Sequence, residues 1–578
     1  MSWLIGAVGN ITNELRKQVS TLADSQLVKH DDANLLIIAG GIKKTCLFQV
    51  DNTNRENFVS VGVGIINNEN TIRFMDDKLW ENINSVEEAR KLEGHFVNVR
   101  WNKGEVKIFT DVLGLRDIYY SSITNDCIIF STRGDWLAKI LRAEINFKEF
   151  GSRWLLFNQI SPNSIFNNIE RICGGKSIVI DRGNYKITAD SYEWLPDFEN
   201  KHLSINDYSS KLEELINIPF VSDHRVSLSL SGGMDSRLIL SYLIQKNKRT
   251  WYSHTFGDYD HPDSMVAQKI ATDLRIEHER INLEETTPEI FLAEAKDYLL
   301  QTNVNNAVSG YLQLRNYKNL IGRNEVIIDG GFGEIWRREF FNRILVRGRK
   351  NLNDKDTDGM IPYLRVHRAD VFTEDIKNTF YKGCKEQLEN SFKTLPDANT
   401  IGMENWIDLF AVKTRLLNYY SSAQVHLDGW VFSYMPFIQQ SLLKNLFNTS
   451  LSKRKNGKMF RQIIKQNYKT LSNYPLAKGQ FTHPFFLNTI QSRIWNIAYK
   501  KLKLKMYNDN STEHLLNTLS PYIQDTITSA SVKQCGYYDY SKLLRLSNVV
   551  AKDTASSYDL YELDWWFAFE LFRQEITQ

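Results

Sequence analysis

The sequence predicts a mixed architecture in two parts: an α+β, strand-rich sandwich over residues 1–195, then over residues 205–578 an α/β unit with a parallel sheet and a helical C-terminal part. Three observations carry this. Short apolar and β-branched runs bounded by turns crowd the first part. The string Ser231-Gly232-Gly233-Met234-Asp235-Ser236 stands between an alternating run, Arg225-Val226-Ser227-Leu228, and an apolar helical run, Leu238 to Ile244. Strand-like and helix-like runs then alternate, which is the pattern of βαβ units and a parallel sheet.

At 578 residues the chain exceeds what one hydrophobic core organises. Charged residues make up 24% against 42% hydrophobic, and the net charge is +3. No apolar run reaches the roughly 18 residues of a membrane span, so a soluble protein without a membrane partner is expected. The near balance of charge speaks against nucleic acid as a partner. Basic clusters at Lys453-Arg454-Lys455 and Lys500-Lys501-Leu502-Lys503-Leu504-Lys505 read as solvated faces. Cys46, Cys127, Cys173, Cys384 and Cys535 are scattered, without metal-ligand spacing or a disulfide framework, so a cytoplasmic location is expected. Ser2 to Val8 is apolar but short and lacks a preceding basic region, so it does not read as a signal peptide. A homodimer is compatible with all of this.

Taken in order, strands are expected at Leu35 to Ile38, Cys46 to Val50, Val59 to Val63, Phe96 to Trp101, Val106 to Thr110 and Cys127 to Phe130. A polar and aromatic connector from Ser191 to Asn206 leads to a helix over Asp207 to Ile218. The Ser231 to Ser236 turn then opens a helix whose unpartnered N–H groups attract an anion. Gly232 and Gly233 let backbone approach phosphate oxygens, Ser231 and Ser236 offer hydroxyls, and Asp235 can hold Mg²⁺. Trp251 to Gly257 reads as a second strand and His261 to Leu274 as an amphipathic helix with Pro262 in its first turn. Val326 to Arg338 is an apolar strand ending in a glycine-rich loop with an acid, Glu334. From Gly402 the chain is mostly helical, and the aromatic run Tyr558 to Phe569 reads as a core helix.

The S-G-G-x-D-S string resembles the pyrophosphate loop of ATP pyrophosphatases, which cleave ATP to AMP and pyrophosphate; it lacks the spacing and lysine of a Walker A loop. Gly94 to Trp101 and Asp111 to Tyr120 resemble the amidotransferase domain of asparagine synthetases. The family resemblance implies a degenerate Ntn-hydrolase-like, class II glutamine amidotransferase-like sandwich, then an adenine nucleotide α-hydrolase-like ATP-pyrophosphatase domain. Val326 to Glu334 resembles the family's second glycine-rich segment. Tyr434-Met435-Pro436-Phe437-Ile438, Lys458 to Ile464 with Arg461, and Lys478 to Pro484 resemble its later signatures. Carried over residue by residue, ATP would lie against Leu230, Ser231, Gly232, Gly233, Asp235, Ser236, Phe256, Asp329 and Gly330. Mg²⁺ would sit on Asp235 and Glu334, and Lys478 would stabilise charge as the amine attacks. His278 is expected to pack or cap.

Three departures stand out. The family's nucleophilic cysteine is matched by Ser2, whose hydroxyl is a far poorer nucleophile, so glutaminase activity is not expected. Asn67-Asn68-Glu69-Asn70 only echoes the family's substrate segment, and Gly331 stands where relatives carry an amine-readying group. The resemblance implies ATP-dependent amide formation through an acyl-adenylate, from a small-molecule or peptide carboxylate and an amine or ammonia. A ring-closing or sugar-acid-amidating enzyme, and a nucleotide-binding scaffold without turnover, remain as alternatives. A tRNA-modifying pyrophosphatase fits less well, because the phosphate loop lies far from the chain start.

Overall fold

In the computed structural model, described over residues 1–51, 56–68, 71–83, 85–198, 203–247, 249–282, 286–502, 507, 509–551 and 556–577, the first part is two stacked antiparallel sheets. One sheet has the order Glu170–Ile172, Ile118–Thr124, Cys127–Ser131, Trp3–Gly9, Leu35–Gly40, Gln26–Asp31. The other runs Ile187–Ser191, Lys176–Asp181, Glu105–Thr110, Glu93–Trp101, Asn57–Asn68, Cys46–Gln49, with Thr71–Phe74 beside Asn57–Asn68. All six expected strands are present, most of them longer at one end.

The apolar stretch at the start of the chain is a strand that the sequence reading did not assign, and burial explains why. Leu4 and Val8 face the core between the sheets, while Trp3, Ile5 and Ala7 face helices on the other side. A strand covered on both faces shows no polar alternation. Those helices come from both parts of the chain: Gly134–Leu141 and Phe147–Leu155, but also Pro288–Thr302 and the aromatic Ser557–Thr577. Phe147–Leu155 crosses Glu374–Thr394 so closely that a Cβ on Gly383 would lie 1.9 Å from the carbonyl oxygen of Lys148. Only glycine fits that crossing.

The terminal helix is core, as its aromatic spacing implies, and it buries an acid. Asp564 accepts hydrogen bonds from Ser309 N at 3.0 Å and Ser309 Oγ at 2.5 Å, and burial pushes its carboxyl up from 3.8 to about 6. A raised carboxyl stabilises the fold fully below its unfolded value, and that contribution is lost as pH rises through the folded value. Apparent stability should therefore fall between about pH 4 and pH 6. Asp564→Asn, whose Oδ1 can accept the Ser309 N–H and whose Nδ2 can donate to Ser309 Oγ, should remove that slope and gain on the order of 2 kcal/mol at pH 7.5. Chemical denaturation across pH, with no difference in slope between the two proteins, would refute this.

The second part is built on five parallel strands in the order His278–Ile281, Trp251–Phe256, Val226–Ser229, Val326–Ile328, Phe432–Tyr434. Chain order reverses direction at Val226–Ser229. Ligands in open parallel sheets favour the carboxyl ends of the strands at such a switch point, and two glycine-bearing loops, Leu230 to Gly233 and Asp329 to Gly333, leave the sheet there. The expected helix over Asp207 to Ile218 is the middle of Ile205–Val221. Beyond it, Met403–Phe410 continues into a wide π-helical stretch, Ala411–Tyr420. Residues 69–70, 199–202 and 503–505, parts of the Asn67 to Asn70 segment, the connector and the second basic cluster, lie outside the described residues. No helix among the described residues is long and apolar enough to cross a membrane, and all five cysteines are free.

Candidate functional site

The Ser231 to Ser236 turn is shaped largely by its own side chains. Ser236 Oγ accepts the N–H of Ser231 at 3.1 Å, Ser231 Oγ accepts the N–H of Gly233 at 3.1 Å, and Asp263 Oδ1 accepts the N–H of Gly232 at 2.8 Å. Helix Met234–Leu243 follows with Gly233 at its N-cap and no side chain capping it. An uncapped helix start of ten residues offers oriented N–H groups and a positive dipole end to an anion.

A hairpin closes over this turn. Leu476–Lys478 pairs with Phe481–His483, and Gly479 makes the tip at φ +60°. Ala477 N donates to Gly232 O at 3.0 Å, and a Cβ on Gly232 would lie 2.5 Å from the Ala477 methyl. Arg237 is the residue that joins the two. Fully buried, it donates to Gly232 O at 3.0 Å, Tyr474 O at 2.8 Å and Pro475 O at 2.6 Å, and burial lowers its pKa to about 9. Nothing in the sequence marks that role, because its hairpin partners, Tyr474 and Pro475, lie more than 230 residues away. Arg237→Met takes the donor from the carbonyls of Tyr474 and Pro475, each loss costing about 1–3 kcal/mol. It should lower apparent stability by about 3 kcal/mol and free the hairpin, which hydrogen exchange at Ala477 would detect as lost protection.

Turn, hairpin and the second glycine-rich loop enclose a polar cavity of about 340 Å³, lined among others by Ser231, Gly233, Asp235, Glu334, Arg337 and Lys478. Ser231, Gly233, Asp235, Glu334 and Lys478 thus come together from three segments far apart in the chain. Leu230, Gly232, Ser236, Asp329 and Gly330 do not line the cavity. Leu230 and Ser236 are buried, and a Cβ on Gly330 would lie 3.0 Å from the backbone nitrogen of Ser236. Asp329 Oδ1 accepts the N–H of Gly331 at 2.6 Å, and burial raises its pKa. Phe256 stands apart, at the end of its strand, with its ring 4.6 Å from Tyr317 and 4.9 Å from His254. His278 packs as expected, its Nδ1 2.9 Å from Ser253 Oγ.

The acids depart from the expected metal site. Both oxygens of Asp235 accept from Arg337, Oδ1 from Nε at 2.9 Å and Oδ2 from Nη2 at 2.8 Å. Burial, opposed by Arg337, raises the Asp235 carboxyl to about 7. Glu334 Oε2 is buried without a partner, and no cluster of three or more metal-ligating side chains occurs among the described residues. The Arg337 fork holds both oxygens of Asp235, so a Mg²⁺ held by that carboxylate would have to displace it, while Glu334 keeps an unpartnered oxygen. Arg461 is likewise committed, donating to Phe485 O at 2.8 Å and Leu487 O at 2.6 Å.

At the sandwich, Ser2 is fully buried and its Oγ donates to Asp428 O at 3.1 Å. The Asp428 carboxylate meets Arg116 Nη1 at 2.5 Å and His95 Nε2 at 3.0 Å, all three side chains being buried. The place of the expected nucleophile is therefore packed against a segment from the second part of the chain.

Residues 207–309 match the asparagine synthase family model. The chain is 24% identical over 229 residues to asparagine synthetase (glutamine-hydrolyzing) 2 of Bacillus subtilis strain 168, across 36% of this chain and 30% of that protein. It is 26% identical over 161 residues to asparagine synthetase (glutamine-hydrolyzing) 1 of the same organism, across 27% and 25%. The matched segments thus span less than a third of those relatives. Among solved structures, the glutamine phosphoribosylpyrophosphate amidotransferase from B. subtilis aligns over 60% of this chain and 79% of that one. At 9% identity and a TM-score of 0.23 that likeness carries no argument.

Proposed function

We propose, for a chain that carries an asparagine synthase family domain, that it binds ATP at the turn over Met234–Leu243 and uses it to activate a carboxylate for amide formation, releasing AMP and pyrophosphate. One observation carries this reading: the Ser231 to Ser236 turn and the Lys478 hairpin are fastened to each other around one cavity, through Ala477 N to Gly232 O and through Arg237. The open helix start would hold the phosphates that leave. Lys478 would meet the negative charge that develops on pyrophosphate and on the tetrahedral centre as the amine attacks the acyl-adenylate. Adenylation turns a poor leaving group into a good one, and the two loops at the switch point would orient its partners.

Free ammonia or an amine of the substrate is the nitrogen source in this reading, not glutamine. The packing of Ser2 against Asp428 supports that, since it leaves the hydroxyl engaged and enclosed. The test is pyrophosphate release by the full chain from ATP, with aspartate and a panel of peptide and sugar-acid carboxylates, comparing ammonia with glutamine. Release with ammonia, or with no added nitrogen where the carboxylate carries its own amine, and no increase on adding glutamine, is the expected result. Release that glutamine raises above a mixture without added nitrogen would sink the nitrogen-source reading, and silence across the panel despite ATP binding would favour a second reading, a nucleotide-binding protein without turnover. That second reading has its own support in the commitment of Asp235 to Arg337.

A further inference from the structure

The acid at the heart of the cavity already holds a cation that belongs to the chain. Arg337 takes both oxygens of Asp235 in one planar fork and turns its Nη1 to Glu339. Three of the five guanidinium N–H groups are used in this way, which leaves two for a ligand in a cavity that Arg337 lines together with Ser231, Gly233 and Lys478. The turn carrying Arg337 abuts the acid so closely that a Cβ on Gly333 would lie 2.5 Å from Asp235 Cγ. The charges around the cavity also balance. Asp235, Glu334 and Glu339 face Arg337, Arg461 and Lys478, and a divalent ion would have to break the fork to reach Asp235.

We propose that Arg337 takes the place of a divalent cation here: it is the fixed positive charge of the site, which accepts the diphosphate or triphosphate group of its ligand in metal-free form. This rests on reading the cavity as a phosphate site, and two titrations of the full chain separate the two claims. In the first, Mn²⁺ alone is added and followed by electron paramagnetic resonance. Wild type should show no Mn²⁺ site that depends on Asp235, whereas Arg337→Gln should bind Mn²⁺ at least tenfold more tightly than wild type, an affinity abolished by adding Asp235→Asn. A wild-type site lost in Asp235→Asn alone overturns the proposal, and needs no Arg337 variant. In the second, inorganic pyrophosphate is titrated calorimetrically in EDTA or in excess Mg²⁺. Wild-type affinity should agree within about threefold between the two, and Arg337→Gln should weaken it at least tenfold in EDTA. Should Arg337→Gln not fold, Arg337→Lys, which keeps the charge but cannot form the fork, serves in both titrations. Tenfold or greater dependence of wild type on Mg²⁺ overturns the proposal. Pyrophosphate binding under neither condition overturns the phosphate reading instead, while the Mn²⁺ titration still decides what neutralises Asp235.

Discussion

Replacing Lys478 with alanine should slow pyrophosphate release from ATP about 10²–10³-fold, with a much smaller change in nucleotide affinity. The reason lies in how the lysine is held. Its hairpin is short, but the tip glycine at φ +60°, the Ala477 hydrogen bond to Gly232 and the Arg237 bonds fix the backbone beside the turn. Arg337 is tied to Asp235 and Arg461 to backbone carbonyls, so among the described residues lining the cavity Lys478 is the cation with freedom to follow moving charge. Charge that appears only in the transition state is met by a group that binds the ground state weakly, and removing it lowers turnover more than binding. Single-turnover kinetics with ADP affinity measured alongside distinguish this from a simple binding residue. A tenfold loss of ADP affinity with an unchanged chemical step would refute it.

Asp428→Leu should lower apparent stability by about 3–5 kcal/mol, because it strands the fully buried Arg116 guanidinium. The same acid receives His95, and its carbonyl receives Ser2 and Thr45, so one residue of the second part satisfies four groups of the sandwich. Adding Arg116→Met should recover much of the loss, since an apolar pair of similar volume removes the uncompensated charge along with its partner. A melting temperature for Asp428→Leu within about 1 °C of wild type would show that water reaches the site and that the pair contributes little.

What was legible in the sequence was local. The strand, turn and helix around Ser231 to Ser236 declare themselves within some twenty residues, and the parallel sheet followed from the alternation around them. The Lys478 hairpin could be assigned to the site only through a motif, because nothing in its own composition points to Gly232. Arg237 stood just past the quoted string without a role, and Arg337 stood just past the second loop. Each acts through partners distant in the chain, and an arginine's spacing carries no mark of which carboxylate or carbonyl it will reach. The strand Trp3–Gly9 was missed for a different reason, since a segment buried on both faces has the composition of many buried helices.

The outer face of the first sheet, covered by Pro288–Thr302 and Ser557–Thr577, bears on how such a chain can change over time. Whatever chemistry the sandwich performs, its tryptophans and isoleucines form one wall of its neighbour's interior. Selection on the neighbour alone would then preserve the sandwich as lining, and a gene that shed it would have to refinish an aromatic surface in the same step.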